Sequence, residues 1–340
     1  MIRLGIIGAA DIAYKRFLPA LAECTHFKYV GVASTSGNNS KKMMNDYGGE
    51  VWDSYDKLIT NSDVDAIYIA LPPALHFEWA KKAIQKGKHV LLEKPFTISQ
   101  DETVKLISYA REKGVVVCEN YSFIFHEQIE IIKKYINSNK IGAIRHYDIR
   151  FGFPRRAVED FRYSKQLGGG ALLDCGGYTI KLASLLLGNG CRVIASSLHN
   201  DTKSNVNLYG NSILVNEKGQ IANIAFGMDN EYICSLEVWG SEGLMTAPRI
   251  FTAPSDFSPV IIVKKSGVQE IIHVTPCNQF TCMIQYFGQC MKDVRQKNQN
   301  YENIIAQSKL VDEVMKSNIK YEDIHNLKED AIYECTSPYG

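Results

Sequence analysis

The chain of 340 residues is 45% apolar, a length that favours two domains and a composition that favours sizeable buried cores. Its 38 basic and 37 acidic residues are interspersed and leave a formal net charge of +1, so they indicate neither a nucleic-acid surface nor an acidic solvating tail. We therefore expect the partner to be a small molecule or a second copy of the chain.

The first 120 residues alternate short β-branched runs with helical patterns. This alternation predicts an α/β domain over residues 1–121, a Rossmann-type doubly wound parallel sheet with helices on both faces. The predicted strands are Ile2–Ile7, Lys28–Ser34, Ala66–Leu71, His89–Leu92 and Val115–Cys118, and the predicted helices are Tyr14–Cys24, Lys41–Tyr47, Leu75–Lys86 and Glu102–Lys113.

From about residue 144 the pattern changes to strands separated by turns. Ile144–Phe153 has the alternation of a long strand, and a glycine turn then leads into an apolar helix that ends at Gly188. Arg192–His273 contains several strand-like runs with no helical pattern between them. This arrangement predicts a C-terminal α+β domain, residues 122–340, with a large, mainly antiparallel open sheet.

The end of the chain and the open sheet bear on assembly. Helical patterns return at Gln279–Lys292 and Asn303–Ser317, and a C-terminal helix is able to pack back on the first domain, while the tail after Asn318 is either packed or loose.

Apolar faces such as Ile221–Phe226 and Ile261–Val263 exceed what the few helices of this domain can cover. We therefore expect a homodimer or homotetramer.

Cysteine usage and the N-terminus bear on the compartment. The nine cysteines show no paired CxxC spacing, which argues against a disulfide framework and a zinc site. No apolar run approaches 18 residues, and the N-terminus lacks the pattern of a signal peptide. We expect reduced thiols, no metal, no membrane span and a cytoplasmic protein.

A glycine turn follows the first predicted strand. Aligned with the dinucleotide fingerprint GxGxxG/A, it has Gly8, Ala10 and Ala13 at the three small positions. Gly8 permits the tight turn, Ala10 lets the backbone approach a pyrophosphate, and Ala13 lets the helix lie close to the strand. Because the turn joins a strand to a helix at the start of a βαβ repeat, it predicts dinucleotide binding. The residues expected to contact the cofactor here are Gly8, Ala9, Ala10, Asp11 and Ile12.

The end of the second predicted strand bears on the kind of dinucleotide. An NAD enzyme usually has an acidic residue about 20 residues beyond the turn, but this chain has ASTS at positions 33–36. The hydroxyls of Ser34 and Thr35 can hydrogen-bond a 2′-phosphate, and Lys41 or Lys42 adds positive charge. We therefore expect NADP, with NAD as the alternative if this stretch is only a polar turn.

Two further motifs place polar side chains where ligands bind. Lys94, within the tripeptide EKP, follows the predicted strand His89–Leu92, and open α/β sheets bind ligands at the carboxyl ends of their strands. Asp174 and Tyr178 are four residues apart in a glycine-rich helix and so share one face. A carboxylate among apolar residues is costly unless it meets a partner or a ligand. The alternative is a surface turn at Lys94, a helix N-terminal charge at Asp174 and a core aromatic at Tyr178.

The motifs GAADIA, LPPALH, EKP and LGGGALLD followed by a tyrosine resemble the glucose–fructose oxidoreductase and inositol dehydrogenase family (Gfo/Idh/MocA) over essentially the whole chain. The resemblance implies a Rossmann domain, a C-terminal domain whose open sheet often mediates dimers, and hydride transfer on sugars or polyols with Lys94 in the active site. The commonest family pattern has a histidine where Tyr178 stands. The chain is similar instead to the tyrosine-bearing branch, which includes glucose–fructose oxidoreductase, dihydrodiol dehydrogenases and nucleotide-sugar ketoreductases.

Within that branch, the stretches ADIAYKRFLPAL, ENYSFIFH and NEYICSLEVWGSEGLMTAPRIFTAPS most resemble the dTDP-sugar 3-ketoreductases of deoxysugar biosynthesis. For His76 the alternative to a cofactor contact is a surface histidine at a helix start, and for Arg162 it is a loop salt bridge. Tyr232, Arg249 and Phe251 are candidates for the sugar or nucleotide site. The cofactor contacts that the resemblance adds are Leu71, Pro72, His76, Glu93, Lys94, Asn120 and Arg162.

Together these residues indicate an NADPH-dependent reduction of a keto group on a nucleotide-linked deoxysugar. We expect Tyr178 to donate the proton, Lys94 to orient the substrate and lower the pKa of Tyr178, and Asp174 to bind either a sugar hydroxyl or the lysine. On sequence grounds the roles of Lys94 and Tyr178 can be exchanged. The alternatives are a dehydrogenase that oxidises a free sugar or a dihydrodiol, and a non-catalytic regulator that senses a dinucleotide.

Overall fold

Six strands near the start of the chain form a parallel sheet in the computed structural model, which describes residues 1–35, 37–188 and 190–319. Their order across the sheet is the third, second, first, fourth, fifth and sixth strand. The chain order reverses beside the first strand, and ligands of such sheets bind outside the carboxyl ends of the strands at that point. The strands are β1 (Ile2–Ile7), β2 (Phe27–Ala33), β3 (Glu50–Trp52), β4 (Ala66–Ile69), β5 (His89–Leu92) and β6 (Val117–Glu119).

Helices cover both faces of this first sheet, as the sequence predicts. Successive strand residues such as Ile6 and Ile7 enter two different cores, because neighbouring side chains of a strand point to opposite faces. The sequence pattern does not predict β3 or the helix that follows it, because three and six residues are too few to show a period. A π-helical turn at Ala13–Phe17 leads into α1 (Leu18–Ala22), followed by α2 (Gly37–Tyr47), α3 (Tyr55–Thr60), α4 (His76–Gln85) and α5 (Gln100–Lys113).

An eight-stranded sheet is formed by the next part of the chain. Its strands are β7 (Ile144–Gly152), β8 (Arg192–Asn200), β9 (Asn207–Val215), β10 (Ile221–Gly227), β11 (Ile233–Gly240), β12 (Gly243–Ala247), β13 (Val260–Lys265) and β14 (Val268–His273). The order is β14-β13-β12-β11-β7-β10-β9-β8, and β7 with β10 is the parallel pair while the other neighbours are antiparallel. The predicted mainly antiparallel sheet is confirmed.

One face of the second sheet is covered, and the described residues leave the other face open. α6 (Glu127–Asn137) and α7 (Gly177–Leu187) share the core of the inner face. Ile261 and Val263, expected on an uncovered face, point into this core instead, because alternate residues of β13 face inwards. The large apolar side chains exposed on the outer face are Ile194, Tyr209, Ile213, Ile221, Trp239 and Ile271.

The segment Lys165–Leu187 is long and apolar enough to meet a length and composition criterion for a membrane span, which the sequence expectation did not allow for. Within the protein, 61% of its apolar window is buried. α7 forms its second half and packs under the second sheet. Burial of this kind is typical of a core helix in a globular protein.

Two C-terminal helices, α8 (Gln279–Lys292) and α9 (Val294–Lys316), pack against the first sheet. The bounds of α8 agree with the prediction. α9 begins well before the predicted start at Asn303, because its first turns are polar and show no apolar period, and Asp293 caps it by accepting from Arg295 N–H. The residues after 319 lie outside the part of the chain that the structure describes.

α9 makes buried hydrogen bonds to both halves of the molecule. Tyr301 OH donates to Val115 O at 2.6 Å, and Asn300 Nδ2 donates to Val117 O at 2.7 Å, which ties the helix to β6. Gln307 Nε2 donates to the carbonyl oxygen of Gly177 at 2.8 Å, at the start of α7. One helix therefore fixes the edge of the first sheet relative to the helix that contains Tyr178.

Candidate active site

A cleft of about 650 Å³ opens at the carboxyl edge of the first sheet, between β1 and β4 on one side and the second sheet on the other. The structure brings predicted catalytic residues and predicted cofactor residues to this cleft. The three predicted catalytic residues, Lys94, Asp174 and Tyr178, all line it. The predicted cofactor residues that also line it are Ala10, Ile12, Leu71, Pro72, Glu93, Asn120 and Arg162.

The turn after β1 has the geometry of a close backbone approach. Gly8 has a φ of 93°, in the region that favours glycine, and a Cβ added to it would lie 2.5 Å from Ala70 O. The Ala9 N–H donates to Ser34 Oγ at 3.3 Å, and Asn39 Nδ2 donates to Ala9 O at 3.1 Å. The turn is therefore glycine-specific and is joined directly to the end of β2.

The other predicted cofactor residues of this region lie outside the lining of the cleft. Asp11 is exposed and pairs with Lys15 at 2.6 Å. Thr35 and Lys41 are exposed beside the end of β2 and on α2. Ser36 lies outside the described residues. Contacts of these side chains with the adenosine end of a dinucleotide stay predictions.

Three charged side chains meet in the floor of the cleft. Asp174 Oδ1 accepts from Lys94 Nζ at 2.5 Å, and Asp174 Oδ2 accepts from Arg162 Nε at 2.6 Å. The side chains of Lys94, Asp174 and Arg162 are only 13%, 11% and 19% exposed. Both carboxylate oxygens are thus engaged, and Asp174 contacts the lysine, which is one of its two predicted roles; the other role, binding a sugar hydroxyl, stays a prediction. Arg162 is also paired with Asp160 at 3.0 Å.

Burial and pairing act in opposite directions on these groups. Burial alone would raise the pKa of Asp174, but the charges of Lys94 and Arg162 outweigh it and hold that pKa well below its ordinary value. Burial lowers the pKa of Lys94, yet the Asp174 carboxylate prevails and the pKa of Lys94 lies above its ordinary value. Lys94 is therefore a persistent cation at neutral pH.

Tyr178 stands in an aromatic cage beside this cation. Its ring centroid lies 5.1 to 5.7 Å from those of Tyr121, Phe123, Phe151 and Phe251, and Lys94 Nζ lies 5.0 Å from the ring. Burial raises the pKa of Tyr178 to about 12, against the opposing charge of Lys94. Lys94 lowers the pKa of Tyr178, as the sequence predicts, but burial has the larger effect, so the pKa lies above its ordinary value.

A second carboxylate lies beside Lys94. Glu93 Oε1 accepts from Tyr68 OH and from Asn120 Nδ2, each at 2.5 Å, and Glu93 Oε2 accepts from the Lys94 N–H at 3.3 Å. Burial raises the pKa of Glu93. Asn120 is 3% exposed, and its Oδ1 has no hydrogen-bond partner within the described residues. This acceptor, in a residue that lines the cleft, matches the amide donor of a nicotinamide carboxamide.

His76 lies behind the cleft, neither on the surface nor in the lining. It is fully buried, with Nδ1 at 2.8 Å from Pro95 O and Nε2 at 2.8 Å from Leu71 O. Burial lowers its pKa. Both ring nitrogens face carbonyl oxygens of cleft-lining residues, and the neutral ring donates to one of them. His76 therefore packs between those two loops, and a direct cofactor contact is not part of this geometry.

Several residues of the cleft have no signal in the sequence motifs. Arg156 and Phe161 come from the loop after β7, and Asn278, Gln279 and Phe280 come from the first turn of α8. They reach the cleft only through tertiary packing. Of the three weaker candidates, Phe251 lines the cleft, whereas Arg249 and Tyr232 lie outside its lining.

Comparison with known proteins agrees with this geometry. The model of the GFO/IDH/MocA oxidoreductase family with an NAD-binding Rossmann fold matches residues 2–121, and the model of the GFO/IDH/MocA C-terminal domain matches residues 129–246. A dTDP-3,4-didehydro-2,6-dideoxy-alpha-D-glucose 3-reductase from Streptomyces violaceoruber is 36% identical, over 92% of this chain and 94% of that protein.

Solved structures show the same architecture. A 3-ketoreductase from Actinomadura kijaniata, in complex with NADP and TDP-benzene, is 34% identical with a TM-score of 0.90, over 93% of this chain and 98% of that chain. An aldose-aldose oxidoreductase from Caulobacter crescentus has a TM-score of 0.84 at 21% identity, over 93% and 97% of the two chains. At that identity the second likeness shows the fold alone.

The substitution Asp174→Asn tests whether the carboxylate controls Lys94. It should lower the pKa of Lys94, because burial would then act without the opposing charge. We expect the pH at which an amine-acylating reagent modifies half of Lys94, read by peptide mass spectrometry, to fall by about one unit or more. Lys105, an exposed lysine paired with Asp101, is the internal control. An unchanged labelling profile for Lys94 would contradict this electrostatic account.

Proposed function

The chain belongs to the GFO/IDH/MocA family of oxidoreductases, and on that premise we propose that it reduces a keto group on a nucleotide-linked deoxysugar with NADPH. The observation that supports this most is the convergence of Lys94, Asp174 and Tyr178 in one cleft at the carboxyl edge of the first sheet. The division into a cofactor domain, residues 1–121, and a substrate domain, residues 122–340, and a cytoplasmic location are part of the proposal.

The residues present fit an NADP dinucleotide. Gly8 tolerates no Cβ, because one would meet Ala70 O, and this permits the tight turn that opens a dinucleotide-binding unit. The unpaired Oδ1 of Asn120 suits the carboxamide of the nicotinamide, and the hydroxyl-bearing end of β2 suits a 2′-phosphate. When bound, the cofactor supplies the hydride. The relative from Actinomadura kijaniata was solved with NADP bound, which supports this cofactor choice.

The chain's own residues supply the proton and the charge. A ketone that accepts a hydride develops negative charge on its oxygen, which then needs a proton. Tyr178 retains its proton at neutral pH, because burial raises its pKa to about 12, which supports its role as the proton donor. Lys94, kept cationic by Asp174, stabilises the developing negative charge. The ketoreductase from Actinomadura kijaniata was also solved with a tyrosine and a lysine substituted. These two residues are separated along the sequence by the same number of positions as Lys94 and Tyr178, which supports the two assignments.

We also propose that the chain forms a homo-oligomer through the open face of its second sheet, where Trp239 is 60% and Ile194 is 57% exposed. Light scattering at micromolar concentration should give at least twice the mass of 38.2 kDa. The double variant Ile194→Lys with Trp239→Lys should shift the mass towards one protomer, because buried charges destabilise an interface. Val158→Lys, at a residue 77% exposed outside the sheets, is the control. A wild-type mass of one protomer would contradict the proposal.

Cofactor preference is tested at the end of β2. Ser34→Asp should invert a preference for NADPH over NADH, because the carboxylate would lie against the 2′-phosphate and accept from the ribose hydroxyls. Fluorescence titration with both cofactors measures the change. Ser34→Asn is the matched control, because asparagine has the size of aspartate but is neutral. It should weaken NADPH binding far less than Ser34→Asp does. Tighter binding of NADH than NADPH by the unmodified protein would exclude the assignment.

The proton donor is tested by Tyr178→Phe, which removes one oxygen and little volume. Loss of a general acid typically lowers the rate about 10²–10⁴-fold, so turnover of the sugar nucleotide should fall by that factor while NADPH affinity survives. Tyr109→Phe, on α5 and outside the lining of the cleft, is the control. Nearly full turnover of the Tyr178 variant would make the tyrosine structural and assign the proton to Lys94 or water.

The pH profile is a second readout of the same assignment. The raised pKa of Tyr178, about 12, means that its acid form is fully present at neutral pH and is lost only as the pH rises through that value. For the unmodified enzyme, kcat for reduction should therefore stay level from neutral pH to about pH 9. A loss of kcat with a midpoint near neutral pH that disappears in Tyr178→Phe would contradict the raised pKa.

A further inference from the structure

The N-terminal turn of α8 contains two cysteines that the catalytic site does not use. Asn278 caps the helix by accepting from the N–H groups of Phe280 and Thr281. Cys277 precedes the cap and Cys282 is the fourth residue after it, the two positions at which a hydrophobic staple packs one side chain on another. Here the staple consists of two thiols, and their Sγ atoms lie 3.5 Å apart.

Among the described cysteines, this pair combines partial exposure with a neighbouring thiol. Cys277 and Cys282 are both partly exposed, so an oxidant in solution can reach them. Cys118 and Cys290 also interact through their side chains, but both are fully buried. Cys191 is partly exposed and provides a matched thiol away from α8.

We propose that Cys277 and Cys282 form a reversible disulfide that alters the wall of the substrate cleft. The Sγ atoms need to approach from 3.5 Å to about 2.05 Å, a movement within reach of side-chain rotation and a small shift of the turn. Disulfides in cytosolic proteins are usually transient or redox-sensing rather than structural, and a half-exposed bond in a short turn is of that labile kind.

The exchange balances with a small disulfide, such as glutathione disulfide, as the oxidant. Burial raises the pKa of Cys282 to about 12, so Cys277 is the first nucleophile, and its thiolate attacks one sulfur of the oxidant. This forms a mixed disulfide and releases one glutathione thiolate, which takes up the proton lost by Cys277. The sulfur of Cys282 then displaces the second glutathione, to which its proton passes. Two protein thiols are oxidised and one disulfide oxidant is reduced to two thiols.

The disulfide would alter the cleft because cleft-lining residues lie between the two cysteines. Asn278, Gln279 and Phe280 all line the cleft, and Gln279 Nε2 donates to Phe251 O at 3.4 Å. Phe251 is one of the rings around Tyr178. A bond between Cys277 and Cys282 reshapes this wall, whereas the turn at Gly8, which follows β1, keeps its geometry. The effect on turnover rests on the proposed function, but formation of the disulfide does not.

The disulfide is tested on the full chain in glutathione buffers of graded redox poise. Oxidation should remove two alkylatable thiols and two hydrogen atoms of mass, and fragmentation of the tryptic peptide of residues 266–292 should link Cys277 to Cys282. Cys277→Ser and Cys282→Ser should each abolish this loss, and the control Cys191→Ser should retain it. Two thiols that stay reduced in the most oxidising buffer, or a link to any other cysteine, would overturn the proposal.

The effect on the cleft is tested by kinetics of the same samples. Oxidation should raise the KM for the sugar nucleotide about threefold or more, since displacements near 1 Å strongly affect substrate positioning, and a reducing thiol should restore it. NADPH affinity should not change, and Cys282→Ser should show no response. An unchanged KM with the disulfide formed would overturn the regulatory part. Absence of turnover in the reduced protein would instead count against the proposed function, and the mass measurement would still decide the disulfide.

Discussion

A buried carboxylate stays ionised only if cations lie within reach, and Asp174 imposes that requirement on the molecule. Its partners come from separate places, Lys94 from the end of β5 in the first sheet and Arg162 from the loop that follows β7 in the second. Because Asp174 pairs with one cation from each sheet's side, the three side chains link the two sheets across the cleft. The same pairing keeps Lys94 charged beside Tyr178, so the constraint that holds the site together also prepares its electrostatics.

The helix that contains Asp174 and Tyr178 is irregular for a physical reason. Residues Leu172–Gly176 form a π-helical turn before α7 begins, and such turns are frequent at functional sites. A Cβ at Gly177 would lie 2.1 Å from Tyr121 OH, so glycine there allows the helix to pack against the end of β6. That close approach places Tyr178 within the aromatic cage, and the removal of the ring from water raises its pKa.

The sequence predicts most of this site because strand ends converge. Gly8, Lys94 and Asn120 follow β1, β5 and β6, and parallel strands bring their carboxyl ends to one edge, so chain order alone places them together. The sequence does not reveal which side chains are buried. Burial encloses His76 between two carbonyl groups and raises the pKa of Tyr178 rather than lowering it. Residues such as Phe280 reach the cleft by the return of α8 to the first sheet, and no local pattern records that path.

The backbone that follows Lys94 is fixed by buried polar side chains rather than by the sheet. Nδ1 of His76 lies 2.8 Å from Pro95 O, and the Phe96 N–H donates to Glu119 Oε1 at 2.9 Å. With its neighbouring backbone groups occupied from behind, Lys94 is directed into the cleft, where it meets Asp174 and the ring of Tyr178. Such support from outside the reacting groups keeps a site within the small tolerances that hydride and proton transfer require. Each of these buried polar groups needs a hydrogen-bond partner, because water is excluded from it. The partners that they have are the groups that hold Lys94 in place.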